Sequence, residues 1–208
     1  MIDLTFENGT HITWVPGLDG GGSTQYTDFI SFLKRKGKRY ENGLEWCCGL
    51  GAIGYSILDA GICKNMSFMD IYEPARPLIY SNAESNSVVD RVKFYHADSI
   101  GKLPDYLKFD LIVANPPHVS GNFNYVGTNA DPIYRLTVDT DWAIHIDFFK
   151  NVMKYLNPGA DIILSEIGTH QKHIELAEQA GLKFIEAFPA PALALDSKSE
   201  AMLMHYSS

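Results

Sequence analysis

Basic charge is scarce in this 208-residue chain: 17 lysines and arginines stand against 25 aspartates and glutamates, a formal net charge of −8. A surface that holds nucleic acid through its phosphates needs the opposite balance, so an RNA partner is disfavoured. The one basic cluster, "KRKGKR" from Lys34 to Arg39, follows an apolar helical pattern and reads as that helix's solvated C-terminal end. Long apolar runs are missing too. No stretch of about 18 apolar residues occurs, which excludes a helical membrane span. The N-terminus has no basic region followed by an apolar one, so it does not read as a secretory signal, and a cytoplasmic location is expected. Cysteine is sparse: Cys47, Cys48 and Cys63 do not make a disulfide framework. The histidines are scattered. Their one close pair, His170 and His173 in "HQKH", reads as a solvated helix face, and no zinc pattern can be completed around it. No metal is expected.

What is present suits one domain, residues 1–208, with an N-terminal arm over 1–40 and a core over 41–208. "IDLTFENGTHITWV" alternates apolar and polar residues around Asn8-Gly9, a hairpin signal. "PGLDGGGSTQY" reads as a glycine loop and "TDFISFLKRKG" as a short helix capped by Thr27 or Asp28. From residue 44 onward short apolar strands ("LEWCC", "SFMDI", "VKFYHA", "FDLIVAN", "ADIILSEI") alternate with helical segments. In "DWAIHIDFFKNVMKYLNPG" the apolar stripe is read as Trp142, Ile146, Phe149, Val152, Met153 and Leu156. "LKFIEAF" and "AMLMHYS" close the chain as an antiparallel pair. The expectation is an α/β, Rossmann-like sheet of seven strands, mostly parallel, with helices on both faces and a C-terminal antiparallel hairpin.

Four stretches carry chemistry. "LEWCCGLGAIG" places Gly49, Gly51 and Gly54 between a strand and a helix, where the backbone can approach a ligand at a helix N-terminus. The run matches G-x-G-x-x-G, so a dinucleotide-binding oxidoreductase is one reading. It leaves unexplained Glu45, whose carboxylate would repel a pyrophosphate and suit a cationic or zwitterionic ligand. Asp70 follows about 20 residues after the glycines, the spacing of an acid that accepts from ribose hydroxyls. Capping the helix that starts near Pro74 is the alternative, but the strand–glycine–helix unit before Asp70 favours ribose; Glu73 is a weaker candidate for the same work. Asp98, just past the third strand, could accept from an exocyclic amino group or simply shape a turn. "FDLIVANPPH" ends a buried strand at Asn115 and stiffens the chain beyond it with Pro116 and Pro117, which cannot extend a sheet ladder.

Together the four motifs resemble the class I S-adenosylmethionine-dependent methyltransferases. "LEWCCGLGAIG" resembles that superfamily's acid-x-Gly-x-Gly-x-Gly signature, with Glu45 for the usual Asp and Cys47 for the first glycine. Cys47 is small, but its backbone is not expected to reach glycine-only angles. "NPPH" resembles the Asn-Pro-Pro-aromatic motif of the amino-methylating branch. The nearest relatives in feel are the release-factor glutamine and rRNA guanine methyltransferases, the first also through "LNPGADIILSEIGTHQ". The resemblance covers roughly residues 44 to 188 and stops short of the arm. It implies S-adenosyl-L-methionine as cofactor, contacted by Glu45, Cys47, Gly49, Gly51, Asp70, Ile71, Asp98, Ser99 and Asn115. It implies Asn115, Pro116, Pro117 and His118 as catalytic. The Asn115 oxygen and Pro116 carbonyl would accept two N–H bonds from a planar amide or amino nitrogen, while His118 would stack on it. The acidic charge favours a protein side chain or small molecule as acceptor over RNA. The long polar segment after the motif, with Tyr125, Tyr134 and Arg135, is expected to wall the substrate, and the glycine loop Asp19 to Ser23 to close over the pocket. A protein that binds the cofactor without catalysis is opposed by the intact Asn115 and both prolines.

Overall fold

The computed structural model describes residues 2–15, 17–117, 136–167, 170–192 and 200–208; His118, Tyr125, Tyr134 and Arg135 lie outside the described residues. A seven-stranded sheet forms the centre. Its strands are β3 (Tyr40–Trp46), β4 (Cys63–Asp70), β5 (Val92–His96), β6 (Phe109–Ala114), β7 (Leu156–Ile167), β8 (Lys183–Pro189) and β9 (Ala201–Ser207). Their spatial order is β5-β4-β3-β6-β7-β9-β8. From β5 to β7 the pairings are parallel, whereas β9 runs antiparallel to both β7 and β8. The expected sheet, with its C-terminal antiparallel hairpin, is the one that forms.

Side-chain alternation along the strands sends residues to two cores. On β6, Leu111 and Val113 join one core, and Ile112 and Ala114 the other. Burial on both faces explains why a parallel strand reads as an unbroken apolar run. The first core packs under α1 (Gly22–Lys36), α2 (Ala52–Asp59) and α3 (Ala75–Ser85); the second under α4 (Ala143–Val152) and α5 (His170–Gln179). None of these helices is long and apolar enough to cross a membrane.

The arm's hairpin, β1 (Ile2–Thr5) with β2 (His11–Trp14), turns at Asn8-Gly9 as its sequence requires. An open strand edge needs partners for its N–H and C=O groups. Asn82 on α3 and Asn86 just past its end supply them. Each accepts an N–H from β2 (Thr13 and His11, at 3.0 and 2.8 Å) and donates to the same residue's carbonyl (3.1 and 2.6 Å).

Three local expectations are corrected. Helix α1 starts at Gly22, not after Thr27 or Asp28. The Asp19 carboxylate accepts the N–H groups of Gly21 and Ser23, so the end of the helix is satisfied earlier in the chain, while Asp28 is buried mid-helix and accepts from Ala192. On α4 the buried face is His145, Phe148, Phe149 and Val152. Ile146 and Met153 point outward, 44% and 40% exposed. The ring that sets this rotation is Trp46 of β3, stacked on Phe148 with centroids 4.1 Å apart. His173 is not on a solvated face but is 1% exposed.

The basic cluster is engaged within the chain. Lys34 pairs with Glu7, Arg35 with Glu186 and Lys38 with Asp161, while Arg39 donates to the carbonyls of Ala60 and Gly61. Asp161 is the buried centre of one of these groups, accepting from His205 at 2.7 Å, Tyr40 at 2.9 Å and Lys38 at 2.8 Å. Burial alone would raise its pKa, but these donors outweigh it and hold the carboxyl well below the usual range. A depressed carboxyl stabilises the fold fully above the unfolded value of about 4, and that contribution fades as pH falls further. Asp161→Asn is therefore expected to lower stability at neutral pH by on the order of 1–3 kcal/mol, less than a fully buried pair because Lys38 is half exposed. The variant should also lose less stability than the parent between about pH 5 and 3. Urea unfolding across that range measures both effects.

Candidate functional site

The sheet places its chemistry at one edge. The chain winds β3, β4, β5 to one side and then returns across β3 to β6, so the strand order reverses between β3 and β6. At such a reversal a crevice opens beyond the carboxyl ends of the strands. A cavity of about 340 Å³ lies there, within the usual range for small-molecule sites.

Glu45, Cys47 and Gly49 reach it from the end of β3, Asp70 and Ile71 from the end of β4, Asp98 from the segment after β5, and Asn115 and Pro117 from the end of β6. Gly51, Ser99 and Pro116 do not line it. Gly51 precedes α2 in a left-handed conformation, Ser99 caps a short turn by accepting the Gly101 N–H at 3.0 Å, and Pro116 is buried. The arm's glycine loop does line the cavity, through Leu18, Asp19, Gly20 and Gly22. A Cβ at Gly49 would come within 2.6 Å of the Leu18 carbonyl oxygen, so the glycine is what lets this loop rest on the turn. Cys47, against expectation, does adopt the left-handed region, with φ of 55°. That region is narrow but open to a side chain when surrounding contacts fix it.

Asp70 holds the turn in place. Its two oxygens accept the N–H groups of Gly49 and Tyr72, each at 2.8 Å. Glu45 is 2% exposed and accepts the Gly54 N–H at 2.7 Å. Burial pushes its carboxyl up and the Gly54 and Ile53 N–H groups pull it down, leaving it at about 8. Asp98 is half exposed and paired with Lys102, which draws its carboxyl below the usual range. With Asp19 and Asp147, five acids line the cavity; among its described lining residues there is no lysine, arginine or histidine.

Asn115 is held on both sides. Its Oδ1 accepts from the Ser165 hydroxyl at 2.7 Å and its Nδ2 donates to the Gly20 carbonyl at 2.8 Å. Ser165 was not legible beforehand, because the parallel register that sets Leu164 beside Ala114 is not written in either strand.

Behind this wall lies a buried network that the sequence did not reveal. His145 donates through one ring nitrogen to Asp139 at 2.6 Å and through the other to Glu166 at 3.0 Å. Burial would lower its pKa, but Glu166 and Asp139 together raise it to about 9. His145, Glu166 and His173 bring donor atoms within 4.8 Å of one another, so the histidine of "HQKH" does find company. The two imidazoles, however, stack with centroids 4.7 Å apart and planes at 16°. In-plane lone pairs of stacked rings run side by side and do not converge on one ion. The two bonds of His145 tie α4 to Asp139 and to Glu166 of β7, while His173 of α5 stacks on His145 with Nδ1 3.3 Å from Glu166.

Residues 27–165 match the methyltransferase small domain family. A bifunctional methyltransferase of Rickettsia bellii is 32% identical over 160 residues, 73% of this chain and 28% of that protein. A release factor glutamine methyltransferase of Fusobacterium nucleatum is 34% identical over 79 residues, 38% of this chain and 22% of that one. The chain thus spans about a quarter of the length of these relatives. A methyltransferase of Pyrococcus furiosus shares the fold, with a TM-score of 0.65 at 16% identity over 94% of this chain and 87% of that one.

A carboxyl raised by folding stabilises least where it must ionise. The Glu45 contribution therefore falls as pH rises from the unfolded value of about 4.3 and is lowest above about 8. Glu45→Gln keeps an oxygen for the Gly54 N–H and removes that penalty. Its melting temperature, relative to the parent, is expected to gain more at pH 8 than at pH 5, and equal gains at both would show that Glu45 is already ionised at the lower pH.

Proposed function

The chain belongs to the methyltransferase small-domain family, as an S-adenosylmethionine-dependent methyltransferase, and on that premise we propose that it methylates a planar amide or amino nitrogen, with a glutamine-like protein side chain as acceptor. When bound, S-adenosylmethionine supplies an electrophilic methyl group on a positively charged sulfur. The observation that carries the reading is the cavity's one-sided charge, with Asn115 at its rim. Five acids and no described base favour a ligand with a sulfonium and an ammonium group. They disfavour a dinucleotide, whose pyrophosphate would meet Asp70 and would oppose the ionisation of Glu45 that a cationic ligand would promote. The match of the glycine run to a nicotinamide-binding fingerprint is thereby outweighed.

On this reading the Gly49 turn brings backbone close to the cofactor, Asp70 accepts from its ribose hydroxyls and Ile71, 56% exposed, packs on its adenine. Asp98 accepts from the adenine amino group. An amide oxygen has two lone pairs; Ser165 occupies one on Asn115, and the other receives a substrate N–H. The Pro116 carbonyl takes the second N–H, although Pro116 is buried and outside the cavity lining, so the substrate nitrogen must reach past that lining to meet it. Both acceptors favour a nitrogen whose lone pair has turned out of conjugation, so they bind more strongly as transfer proceeds than before it. The prolines keep them rigid, and proximity supplies much of the remaining acceleration.

Two features support a protein acceptor over an RNA base. A relative named for release factor glutamine methylation aligns here, and four of the cations in "KRKGKR" are already engaged within the chain. Labelled S-adenosylmethionine, incubated with cell extract divided into protein, RNA and small-molecule fractions, should mark the protein fraction. Asn115→Ala should cut that transfer by on the order of 10²–10³-fold while S-adenosylhomocysteine affinity changes less than about threefold. Turnover surviving in the variant would overturn the mechanism.

A further inference from the structure

The carboxamide of Asn115 looks nearly the same either way round, yet only one orientation turns an acceptor toward a substrate N–H. Its neighbours decide which. The Gly20 carbonyl can only accept, so the group facing it must be Nδ2. The Ser165 hydroxyl, fully buried on β7, then meets Oδ1 and donates to it. A flipped amide would set oxygen against oxygen at Gly20 and present N–H donors to the substrate's own N–H groups.

The Gly20 carbonyl is itself held. Asp19 Oδ1 accepts the Gly21 N–H at 2.9 Å and the Ser23 N–H at 3.2 Å, and Oδ2 accepts the Ser23 hydroxyl. These bonds fix the peptide between Gly20 and Gly21. Gly21 has φ of 102°, which a side chain rarely adopts, and a Cβ there would fall within 2.5 Å of the Gln25 amide nitrogen. The loop is thus built for one shape, and it lies before residue 27, where the family match begins.

We propose that Asp19 and Ser165 are positioning residues that fix the orientation of the Asn115 amide from opposite sides, so that the N-terminal arm completes the acceptor site. This rests on the reading of Asn115 as the group that receives the substrate N–H. Asp19 acts through the Gly20 carbonyl and Ser165 through its own hydroxyl.

The test does not require the substrate. In the ¹⁵N-labelled full chain, the Asn115 side-chain amide is assigned by its disappearance in Asn115→Asp. The Nδ2 proton bonded to the Gly20 carbonyl is expected downfield of its partner and slow to exchange with solvent. Asp19→Ala and Ser165→Ala should each move that proton upfield and speed its exchange with solvent by about five- to tenfold, the effect of one net hydrogen bond. Asp19→Asn, which keeps an oxygen for the loop N–H groups, should restore slow exchange. Should Ser165→Ala fail to fold, the Asp19 pair decides alone. A Gly20-facing proton that is neither shifted nor protected in the parent, or that is unmoved by Asp19→Ala, overturns the proposal. S-adenosylhomocysteine titration of the same samples separates the two readings: a held amide in a chain that binds no cofactor would refute the methyltransfer and leave the positioning intact.

Discussion

Two backbone N–H groups from different turns converge on one buried carboxylate, that of Asp70. One belongs to Gly49, just past β3, the other to Tyr72, just past β4. The bond to Gly49 bends the chain sharply after the strand and leaves the turn's backbone facing the crevice. It thereby sets where α2 begins and where the N-terminal loop can rest. Asp70 ends a strand locked between β3 and β5, so the anchor is as rigid as the sheet. The placing of the glycine turn traces to this residue, which is also one of the five acids lining the cavity.

The same charge sets a tension between stability and ligand. Glu45 is buried beside the start of α2 at a cost to the fold that hydrophobic packing must offset. Functional sites commonly retain such groups because a bound cation lowers their cost. His145 is the opposite case, a buried cation flanked by Asp139 and Glu166. The acids near the ligand have few protein cations to answer them, whereas those behind the wall are answered inside the protein.

Features decided by neighbouring residues were readable in the chain. The strand–glycine–helix unit, Asp70 at its spacing and the proline-stiffened end of β6 needed only adjacent residues to be recognised. Features decided across the fold were not. The start of α1 depends on Asp19, separated from the helical pattern by three glycines, and the rotation of α4 depends on Trp46 of a distant strand. His145 looks out of place on an apolar face until Glu166 and Asp139 are set beside it. Ser165 is an ordinary strand serine until the register puts it against Asn115.

Strand β9 lies between β7 and β8 and, among the described residues, is their only link in the sheet. On the ribosome β8 is made first and has no place to dock until β9 follows. Through that interval the apolar edge of β7 is exposed, the kind of edge that recruits strands from other chains. Completion of the sheet therefore waits for residues 201–207, and a nascent chain halted before them would be a client for chaperones rather than a smaller folded domain.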